Sequence, residues 1–495
     1  MVRDKAQTAR DIARITGVSE QTLLERLHRK KAFVWLARRL PVEQAERVRQ
    51  LRSAGIDFLK EPRRFYPNGS LASHVLGYAG LDHEGLEGVE LRCNTQLRGE
   101  PGWRSAWWDA KGRAVAAREQ QLVPPLHGRT VVLTIDQVIQ DIVERELQRA
   151  IERFHAKAGT VIVLDPHTGE VLAMANRPTF DPNRADRALA DARRNRAITD
   201  MCEPGSGFKI VTASAALNEH LVPLDKVFDC EGGAYRVANH ILHDHKPNGL
   251  LTFRQVLEKS SNIGTVKVAQ QIGGELVWRY ALRYGFGERT GIDLPGEASG
   301  FVRHPRNWSK LTISAFPIGQ EVLTTPIQLA SGMSVVANGG VWVRPRIVRE
   351  VIDPSGEVVQ AFEREEERRV MDEETAHTLK QVLAGAVEHG TGRAAAPPSF
   401  TAGGKTGTAQ KLEPNGTYSH SKFVASFLGF APAEHPVITV VVMLDEPRPL
   451  YLGGQVAAPT FSRIAEATLR YLQVSPTTIE DADEHQPTYL TQRHN

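Results

Sequence analysis

The stretch EPGSGFKIVTASAAL, Glu203 to Leu217, places a serine and a lysine three positions apart. They follow a Pro-Gly pair and begin a run that is apolar on nearly every side, which predicts a helix through the protein interior. Residues i and i+3 of a helix lie on one face, so we expect Ser206 and Lys209 to be neighbours at its amino-terminal end, where the helix dipole favours negative charge. A lysine kept neutral by its surroundings can act as the base for a serine nucleophile.

The Ser-x-x-Lys spacing also arises by chance. A second copy occurs at Ser419 and Lys422, in a stretch that reads as a polar hairpin. The pair at 206 and 209 therefore needs support from other parts of the chain.

A second motif follows in KSSNIG, residues 259–264, which carries Ser260 and Asn262. It lies between a helix that Thr252 and Gln255 are expected to cap and the next amphipathic run. Serine and asparagine at this spacing present a hydroxyl and an amide at the start of a helix.

A third motif is GGKTGTAQ, residues 403–410, which reads as a strand. It carries Lys405, Thr406 and Gly407. The ordered set S-x-x-K, S-D-N and K-T-G is typical of class A β-lactamases and penicillin-binding proteins, with Ser-Ser-Asn here in place of Ser-Asp-Asn. Each motif is weak alone, but three in this order indicate a serine acyl-transfer site.

Composition limits the alternatives. With 495 residues, of which 41% are hydrophobic and 24% charged, the chain is expected to form at least two folded units. Its 61 basic and 58 acidic residues give a net charge of +3, so nucleic acid is not an expected partner. Cys93, Cys202 and Cys230 are too few and too far apart for a disulfide scaffold. No signal peptide and no apolar run of membrane-spanning length are evident.

The first 125 residues read as short α+β pieces. Ser19 is expected to open a helix, KAFVWLARRL at 31–40 to form a strand, residues 41–52 a short helix, and residues 107–115 a hairpin. We assign residues 1–125 to a smaller amino-terminal α+β domain.

The remainder reads as an antiparallel sheet covered by helices, with a helical subdomain, within an overall α+β fold. A helix over 138–155 precedes a hairpin of apolar strands, and three further strands are expected to join the same sheet before a helix over 461–472. We assign residues 126–473 to the catalytic domain. Residues 474–495 are polar and expected to be disordered.

The sequence resembles the class B penicillin-binding proteins, over about residues 30 to 473, and their septal, cell-division branch in particular. Beyond the three motifs, the resemblance rests on further stretches. These are RFYPNGSLASHVLGYAG (64–80), GLEGVE (85–90), NRAITDMCEPGSGFK (195–209), SSNIGTVKVA (260–269), TGIDLPGE (290–297), PIGQEVLTTPIQLA (317–330) and SFLGFAPAEHP (426–436). SSNIGTVKVA favours the septal branch, and no glycosyltransferase-like region precedes the catalytic one.

The resemblance implies a serine-type D,D-transpeptidase that cross-links peptidoglycan stem peptides and binds penicillin covalently, without a cofactor or a metal. It makes Ser206 the nucleophile, Lys209 its base and Ser260 the proton relay to the leaving amine, held by Lys405. The backbone N–H groups of Ser206 and Thr408 would form the oxyanion hole.

The same resemblance assigns substrate binding to the K-T-G strand and to Asn262, which would donate to the acyl-side amide. On a strand of period two, Thr406 and Thr408 share a face and can meet the substrate carboxylate, while Lys405 reaches the cleft from the other side. Gly407 would let an extended peptide lie along the strand.

The resemblance implies that residues 1–125 are a dimerisation or pedestal domain, expected to lack its start here. It also implies partners and a location. Stem peptides and β-lactams are the expected ligands, and a septal glycosyltransferase with other division proteins the expected partners. Relatives carry a membrane-spanning helix, which is expected upstream of this chain, and face the periplasmic side of the inner membrane. An in-frame extension of some sixty or more residues before Met1 is the corresponding expectation.

Two features depart from simple expectation. The family usually has Thr where this chain has Gly207, which predicts looser positioning of the serine without loss of activity. His240, His243 and His245 could suggest a metal, but the segment resembles the family's Asp/His-containing loop before the Ser-x-Asn helix, which favours a structural loop.

Two rival classes remain open. A serine β-lactamase shares the motifs but hydrolyses its acyl-enzyme, and it lacks the large amino-terminal domain. A β-lactam sensor or a non-catalytic division scaffold would keep the fold without turnover, although intact motifs argue against the scaffold.

Overall fold

The computed structural model describes residues 2–31, 33–104, 107–108, 114–115, 122–237, 240–413 and 415–477. The chain divides into two compact units, Met1–Tyr66 and Pro67–Asn495. Each unit has its own buried core, and the three catalytic motifs all belong to the second. No helix among the described residues has the length and apolar character needed to cross a membrane.

The described residues of the first unit form three helices around a small core. They are α1 Lys5–Thr16, α2 Glu20–His28 and α3 Val42–Gln50. Ser19 caps α2 by accepting a hydrogen bond from Thr22 N, as expected, and α3 begins directly after Pro41. Ala9, Ile12, Leu23 and Val48 form the buried core.

The predicted strand over 31–40 is wrong, because its described residues form no strand. Phe33 and Trp35 are exposed, with Arg38 stacked over the Trp35 ring. Leu36 packs half-buried against the small core, but no described strand pairs with this segment, and a strand without a partner has no ladder to stabilise it.

The helices of the second unit are named in chain order. They are α4 Ser73–Leu76, α5 Gly88–Arg92, α6 Asn94–Arg98, α7 Gln137–Arg153, α8 Ala190–Arg193, α9 Arg196–Thr199, α10 Lys209–Asn218, α11 Phe253–Glu258, α12 Asn262–Ile272, α13 Gly274–Arg283, α14 Thr312–Ala315, α15 Pro326–Ala337, α16 Glu373–Glu388, α17 Gly453–Val456 and α18 Ala458–Tyr471. Short 3-10 turns lie at Pro182–Arg187, Gly205–Phe208, Glu231–Gly233, Pro305–Asn307, Phe316–Ile318 and Arg393–Ala395.

The strands are mostly short apart from those of one sheet. They are β1 Trp103–Arg104, β2 Trp107–Trp108, β3 Ala114–Val115, β4 Leu122–Val123, β5 Thr130–Leu133, β6 Ala158–Leu164, β7 Val171–Arg177, β8 Val227–Asp229, β9 Ala234–Val237, β10 His240–His243, β11 Leu250–Thr252, β12 Phe301–Val302, β13 Val322–Leu323, β14 Val341–Val343, β15 Val348–Ile352, β16 Val358–Ala361, β17 Glu366–Arg369, β18 Gly403–Leu412, β19 Tyr418–Ala431 and β20 Ile438–Asp445.

The central sheet has five antiparallel strands in the order β18-β19-β20-β6-β7. The prediction that the three carboxy-terminal strands join the earlier apolar hairpin is therefore confirmed. Strand β18 lies at the sheet edge, and its Lys405 pairs with Leu428 of β19. An edge strand leaves one side of its backbone open to another extended chain.

Side chains of this sheet alternate between two apolar cores. On β6, Ile162 and Leu164 face the core that contains α10 and α12, whereas Val161 and Val163 face the core that contains α7 and α18. The sheet is thus covered by helices on both faces, as predicted for this α+β fold. Helix α10 is buried from Lys209 through Ala216 and runs through the first core.

Several predicted segments lie partly outside the described residues. The hairpin over 107–115 is confirmed by the pairing of Trp107 with Val115, while residues 109–113 of its turn are outside them. Pro414, in the predicted turn between β18 and β19, and residues 478–495 of the predicted tail are also outside them.

Candidate active site

The first motif lies at a change of helix type. Ser206 sits in the 3-10 turn Gly205–Phe208, and the α-helix begins only at Lys209. Gly205 precedes it with a positive φ of 53°, and its N–H donates to Gly319 O over 3.1 Å. The Ser206 side chain is half-buried, and its hydroxyl has no hydrogen-bond partner in the part of the chain that is described. A substrate can therefore reach this hydroxyl without breaking an existing contact.

The Lys209 side chain is fully buried beside the second motif. Its Nζ donates to Ser260 O over 2.7 Å and to Asn262 Oδ1 over 2.8 Å, and it lies 3.2 Å from Ser260 Oγ. Burial, followed by the positive charge of Lys405, holds the pKa of Lys209 well below its usual range. A lowered pKa increases the neutral fraction of the lysine, and the neutral form has the lone pair that a base requires.

Ser260 connects the two lysines. Lys405 Nζ donates to Ser260 Oγ over 2.6 Å, and burial lowers the pKa of Lys405 to about 7. Ser260 also has a positive φ of 59°. Its hydroxyl and its carbonyl are therefore both aimed at ammonium or amine groups, so that a proton can pass along Lys209, Ser260 and Lys405.

The third motif presents alternate side chains to opposite sides of β18, as predicted. Thr406 Oγ1 lies 3.0 Å from Thr391 Oγ1, and Thr408 Oγ1 accepts a hydrogen bond from Gly453 N over 3.0 Å. Lys405 points the other way, toward Ser260. The two threonine hydroxyls are thus already hydrogen-bonded on the side that faces α17.

Gly407 lies beside the 3-10 turn Gly205–Phe208, which carries Ser206. A Cβ at this position would lie 2.3 Å from Ser426 Oγ and 3.1 Å from Pro204 O. A side chain there would collide first with Ser426 on β19 and would also crowd Pro204, which precedes the turn of Ser206. Glycine therefore suits this position because of the neighbouring strand, a reason that the sequence pattern does not disclose.

Asp244 is a residue that sequence reasoning did not single out. Its Oδ1 accepts from Asn262 N over 2.6 Å and from Ile263 N over 3.0 Å, and its Oδ2 accepts from Ser261 Oγ over 2.7 Å. This carboxylate caps the start of α12, together with the Ser261 side chain. The sequence signal that could have identified it is that Asp244 is the one acidic residue in NHILHDHK (239–246), sixteen residues before Ser260.

The histidine-rich loop contributes a backbone acceptor for the Asn262 side chain. Asn262 Nδ2 donates to His243 O over 2.9 Å, and β9 pairs with β10, to which His240 and His243 belong. Within the described ranges, no group of three or more His, Cys, Asp or Glu side chains is arranged to hold a metal ion.

The second Ser-x-x-Lys copy has a different geometry. Ser419 Oγ accepts from Ser421 N and from Lys422 N, over 3.3 and 3.1 Å. Lys422 Nζ instead pairs with Glu413 over 3.0 Å. Its lysine is engaged with a carboxylate, so this pair lacks the arrangement of a nucleophile and its base.

Sequence profiles of two families match the chain. A penicillin-binding protein transpeptidase domain matches residues 159–466, and a penicillin-binding protein dimerisation domain matches residues 1–133. The chain belongs to the class B penicillin-binding proteins. The fold class and the serine-type D,D-transpeptidase activity expected from the sequence are therefore confirmed. The domain boundary expected at residue 125 stays a prediction.

Individual relatives of this penicillin-binding protein cover nearly its full length. The probable peptidoglycan D,D-transpeptidase PenA of Neisseria meningitidis serogroup A is 35% identical over 470 residues, covering 94% of this chain and 78% of the relative. The peptidoglycan D,D-transpeptidase FtsI of Escherichia coli K12 is 33% identical over 460 residues, covering 92% and 75%.

A solved relative supports the fold directly. Penicillin-binding protein 3 from Mycobacterium tuberculosis, complexed with ampicillin, superimposes with a TM-score of 0.76 at 34% sequence identity. The match covers 85% of this chain and 91% of that one.

Gly207 is the departure from the family motif. A Cβ at this position would lie 2.4 Å from Leu428 Cδ1, and Leu428 is fully buried on β19. The space that a side chain at 207 would use is filled by Leu428. Packing from the sheet therefore restrains this turn in place of a Thr side chain.

Proposed function

We propose that Ser206 of this class B penicillin-binding protein attacks the penultimate D-alanine carbonyl of a stem peptide. Lys209 takes the serine proton, and Ser260, held by Lys405, passes a proton to the leaving D-alanine amine. The products of this half-reaction are an acyl-enzyme on Ser206 and free D-alanine. Both buried lysines contact Ser260, and Lys209 lies one helical turn after Ser206, whose hydroxyl has no hydrogen-bond partner among the described residues. These contacts are the observation that carries the proposal.

The second half-reaction transfers the acyl group to an amine. The amine of a second stem peptide attacks the ester carbon, its proton leaves through the same lysine and serine, and Ser206 regains its proton as the cross-link forms. Exclusion of water from the site is what allows the amine to compete.

Charge on the tetrahedral intermediate needs preorganised donors. We assign these to the backbone N–H groups of Ser206 and Thr408. Support comes from the approach of the two segments, since a Cβ on Gly205 would lie 3.5 Å from Thr408 O. The sheet edge at β18 supports the assignment of Thr406, Gly407 and Thr408 to binding the extended substrate, with Asn262 on its acyl side.

The substrates in this proposal are peptidoglycan stem peptides, and β-lactams act as their covalent mimics. Similarity to FtsI supports a role in septal synthesis beside a glycosyltransferase and other division proteins, with the catalytic unit on the outer side of the inner membrane. Depletion of the protein in its host should then give filaments that lack septa, and a fluorescent penicillin should label the division site. Normal septation after depletion would contradict the septal role.

The fate of the acyl-enzyme separates transpeptidase from β-lactamase. We expect the penicilloyl adduct to persist for many minutes to hours. A thioester donor should be consumed faster, with aminolysis product, when a D-amino acid or diamino acid is supplied. Mass spectrometry of adduct decay, combined with chromatography of the products, measures both. Loss of the adduct within seconds, with hydrolysis unaffected by added amine, would identify a β-lactamase instead.

A further inference from the structure

A buried glutamate lies three residues before the nucleophile. Glu203 is 9% exposed. Its Oε1 accepts two hydrogen bonds, from Glu321 N over 2.8 Å and from the Tyr418 hydroxyl over 3.0 Å. The mechanism above does not use this side chain, although it belongs to the segment that leads directly into the turn of Ser206.

The first donor belongs to a segment that runs beside the nucleophile turn. Cys202 and Thr324 exchange backbone hydrogen bonds over 3.0 and 2.9 Å, and Gly205 N donates to Gly319 O. A Cβ on Gly319 would lie 2.1 Å from Gly205 O, so the two backbones touch. Through Glu321 N, the glutamate adds a side-chain bond to this backbone pairing.

The second donor belongs to the hairpin of the K-T-G strand. Tyr418 is the first residue of β19, and it pairs with Leu412 at the far end of β18. The Glu203 carboxylate therefore joins three segments at one atom: the nucleophile turn, residues 319–324 and the hairpin that carries Lys405. No other side chain among the described residues hydrogen-bonds to both Glu321 N and the Tyr418 hydroxyl.

The other carboxylate oxygen is unusual. Glu203 Oε2 is inaccessible to solvent and has no hydrogen-bond partner within the described part of the chain. Burial, reinforced by the nearby Glu321 charge, raises the pKa of Glu203. The other titratable groups that face it are the Tyr418 hydroxyl and the Cys202 thiol, whose pKa values burial also raises. Retaining an imperfectly satisfied carboxylate costs stability, which points to a role other than folding.

We propose that Glu203 is a positioning residue that fixes the Ser206 turn relative to strand β18 by accepting both hydrogen bonds at Oε1. This inference rests on the proposed function, since it concerns the distance between the nucleophile and the substrate-binding strand. Small displacements between reacting groups cost large factors in rate, so a contact that touches no substrate can still control acylation.

The charge state adds a testable direction. An ionised carboxylate accepts stronger hydrogen bonds than a neutral one. As pH falls through the raised pKa of Glu203, the proton goes to the unpartnered Oε2 and the bonds at Oε1 weaken. The junction should therefore be tightest when Glu203 is ionised, and its contribution to acylation should decline toward acid pH.

Three substitutions test the proposal in the full chain. Glu203→Gln keeps an acceptor oxygen but removes the charge, Tyr418→Phe removes one donor alone, and Glu203→Ala removes the junction. With a fluorescent penicillin, stopped-flow experiments give the acylation rate constant and the dissociation constant of the initial complex separately. Active-site titration and thermal unfolding report the folded fraction.

We expect Glu203→Ala to lower the acylation rate constant at least about tenfold, with the dissociation constant of the initial complex changed far less. Tyr418→Phe should fall between wild type and Glu203→Ala, and adding it to Glu203→Ala should cause little further loss, because both remove the same contact. The acylation rate constant of wild type, divided by that of Glu203→Gln, should approach one at acid pH and increase with pH as Glu203 ionises.

The outcomes are separable from those of the proposed function. If wild type is not acylated at all, the proposed function fails. If wild type is acylated and Tyr418→Phe and Glu203→Gln match it at every pH, Glu203 is not a positioning residue. The same conclusion follows if the loss in Glu203→Ala only tracks the loss of titratable sites, since that would be a purely structural effect.

Discussion

Ser260 combines an unfavourable backbone with a central position in the site. Its φ of 59° is left-handed, which costs a non-glycine residue about 1–2 kcal/mol. In that conformation its carbonyl accepts from Lys209 and its hydroxyl accepts from Lys405. Strain of this kind persists where the surrounding contacts over-determine the conformation, and here they are the two lysine contacts.

This strain predicts a difference between two substitutions that both remove the hydroxyl. Ser260→Gly should be more stable than Ser260→Ala by about 1 kcal/mol, because glycine adopts positive φ without steric cost. Both should lower acylation about a hundredfold or more through loss of the proton relay. Denaturant unfolding and penicillin acylation measure the two effects. An alanine variant as stable as the glycine variant would show that the backbone is not strained.

The proposed role of Lys209 as base predicts the effects of two substitutions. Lys209→Ala should slow acylation at least about a hundredfold, the usual contribution of a positioned base. Lys209→Arg should not restore it, because a guanidinium stays protonated even when buried. Circular dichroism checks that both variants fold. Acylation of Lys209→Arg at the wild-type rate would contradict the role of Lys209 as base.

At the residue scale, type and spacing in three short motifs were enough to single out Ser206, Lys209, Ser260, Asn262 and Lys405, whose roles stay predictions. The structure places the last four in one hydrogen-bonded group. Glu203, Asp244 and Leu428 act through contacts across many residues of chain, and no local pattern marks such contacts.

At the scale of elements, helix α12 depends on a cap supplied by a loop. Asp244 accepts from the first two N–H groups of the helix and from the Ser261 hydroxyl. The same negative charge raises the pKa of Lys209, opposing the effects of burial and of Lys405. One carboxylate therefore both holds the start of the helix at Asn262 and raises the pKa of Lys209.

Removal of that charge should shift the pH dependence of acylation. In Asp244→Asn the pKa of Lys209 falls further, so the neutral, basic form persists to lower pH. The acid limb of the acylation profile should therefore move toward lower pH, together with any loss of rate from the weaker cap. Asp225→Asn, which removes a charge from an exposed position, is the matched control and should leave the limb unmoved. A limb unchanged in Asp244→Asn would contradict the electrostatic role.

Some ends of helices and strands could be predicted from local sequence signals, and others could not. The capping box of Thr252 and Gln255 and the cap at Ser19 were predicted and are observed. Helix α1 was missed although Asp4 and Gly17 cap its ends, and the strand over 31–40 was predicted in error. A 3-10 turn at Ser206 in place of an α-helical one follows from the packing of Gly205 against Gly319, which sequence periodicity does not report.

For the whole molecule, the two compact units differ in how much core they bury. In the described part of Met1–Tyr66 the core cluster consists of Ala9, Ile12, Leu23 and Val48, whereas Pro67–Asn495 holds two extensive cores on the faces of the central sheet. Fold class was predictable because alternating apolar strands and long apolar helices leave few ways to cover a sheet. The compact-unit boundary at residue 66 was not, since no change of composition marks it.

This difference predicts the response to penicillin in calorimetry. The protein should unfold in two transitions, the weaker one from Met1–Tyr66 because a small core stabilises less. Acylation should raise the temperature of the main transition and leave the weaker one unchanged, because Ser206, Ser260 and Lys405 all belong to Pro67–Asn495. A single unfolding transition that shifts as a whole on acylation would contradict this prediction.

Ser206 is the one serine proposed to carry the acyl group. Folded protein should be incubated with penicillin, digested, and mapped by tandem mass spectrometry, with Ser206→Ala as the control. We expect a single penicilloyl adduct on Ser206, none in the control, and none on Ser419, because Lys422 beside it pairs with Glu413. An adduct on Ser419, or no adduct at all in folded wild-type protein, would contradict this proposal.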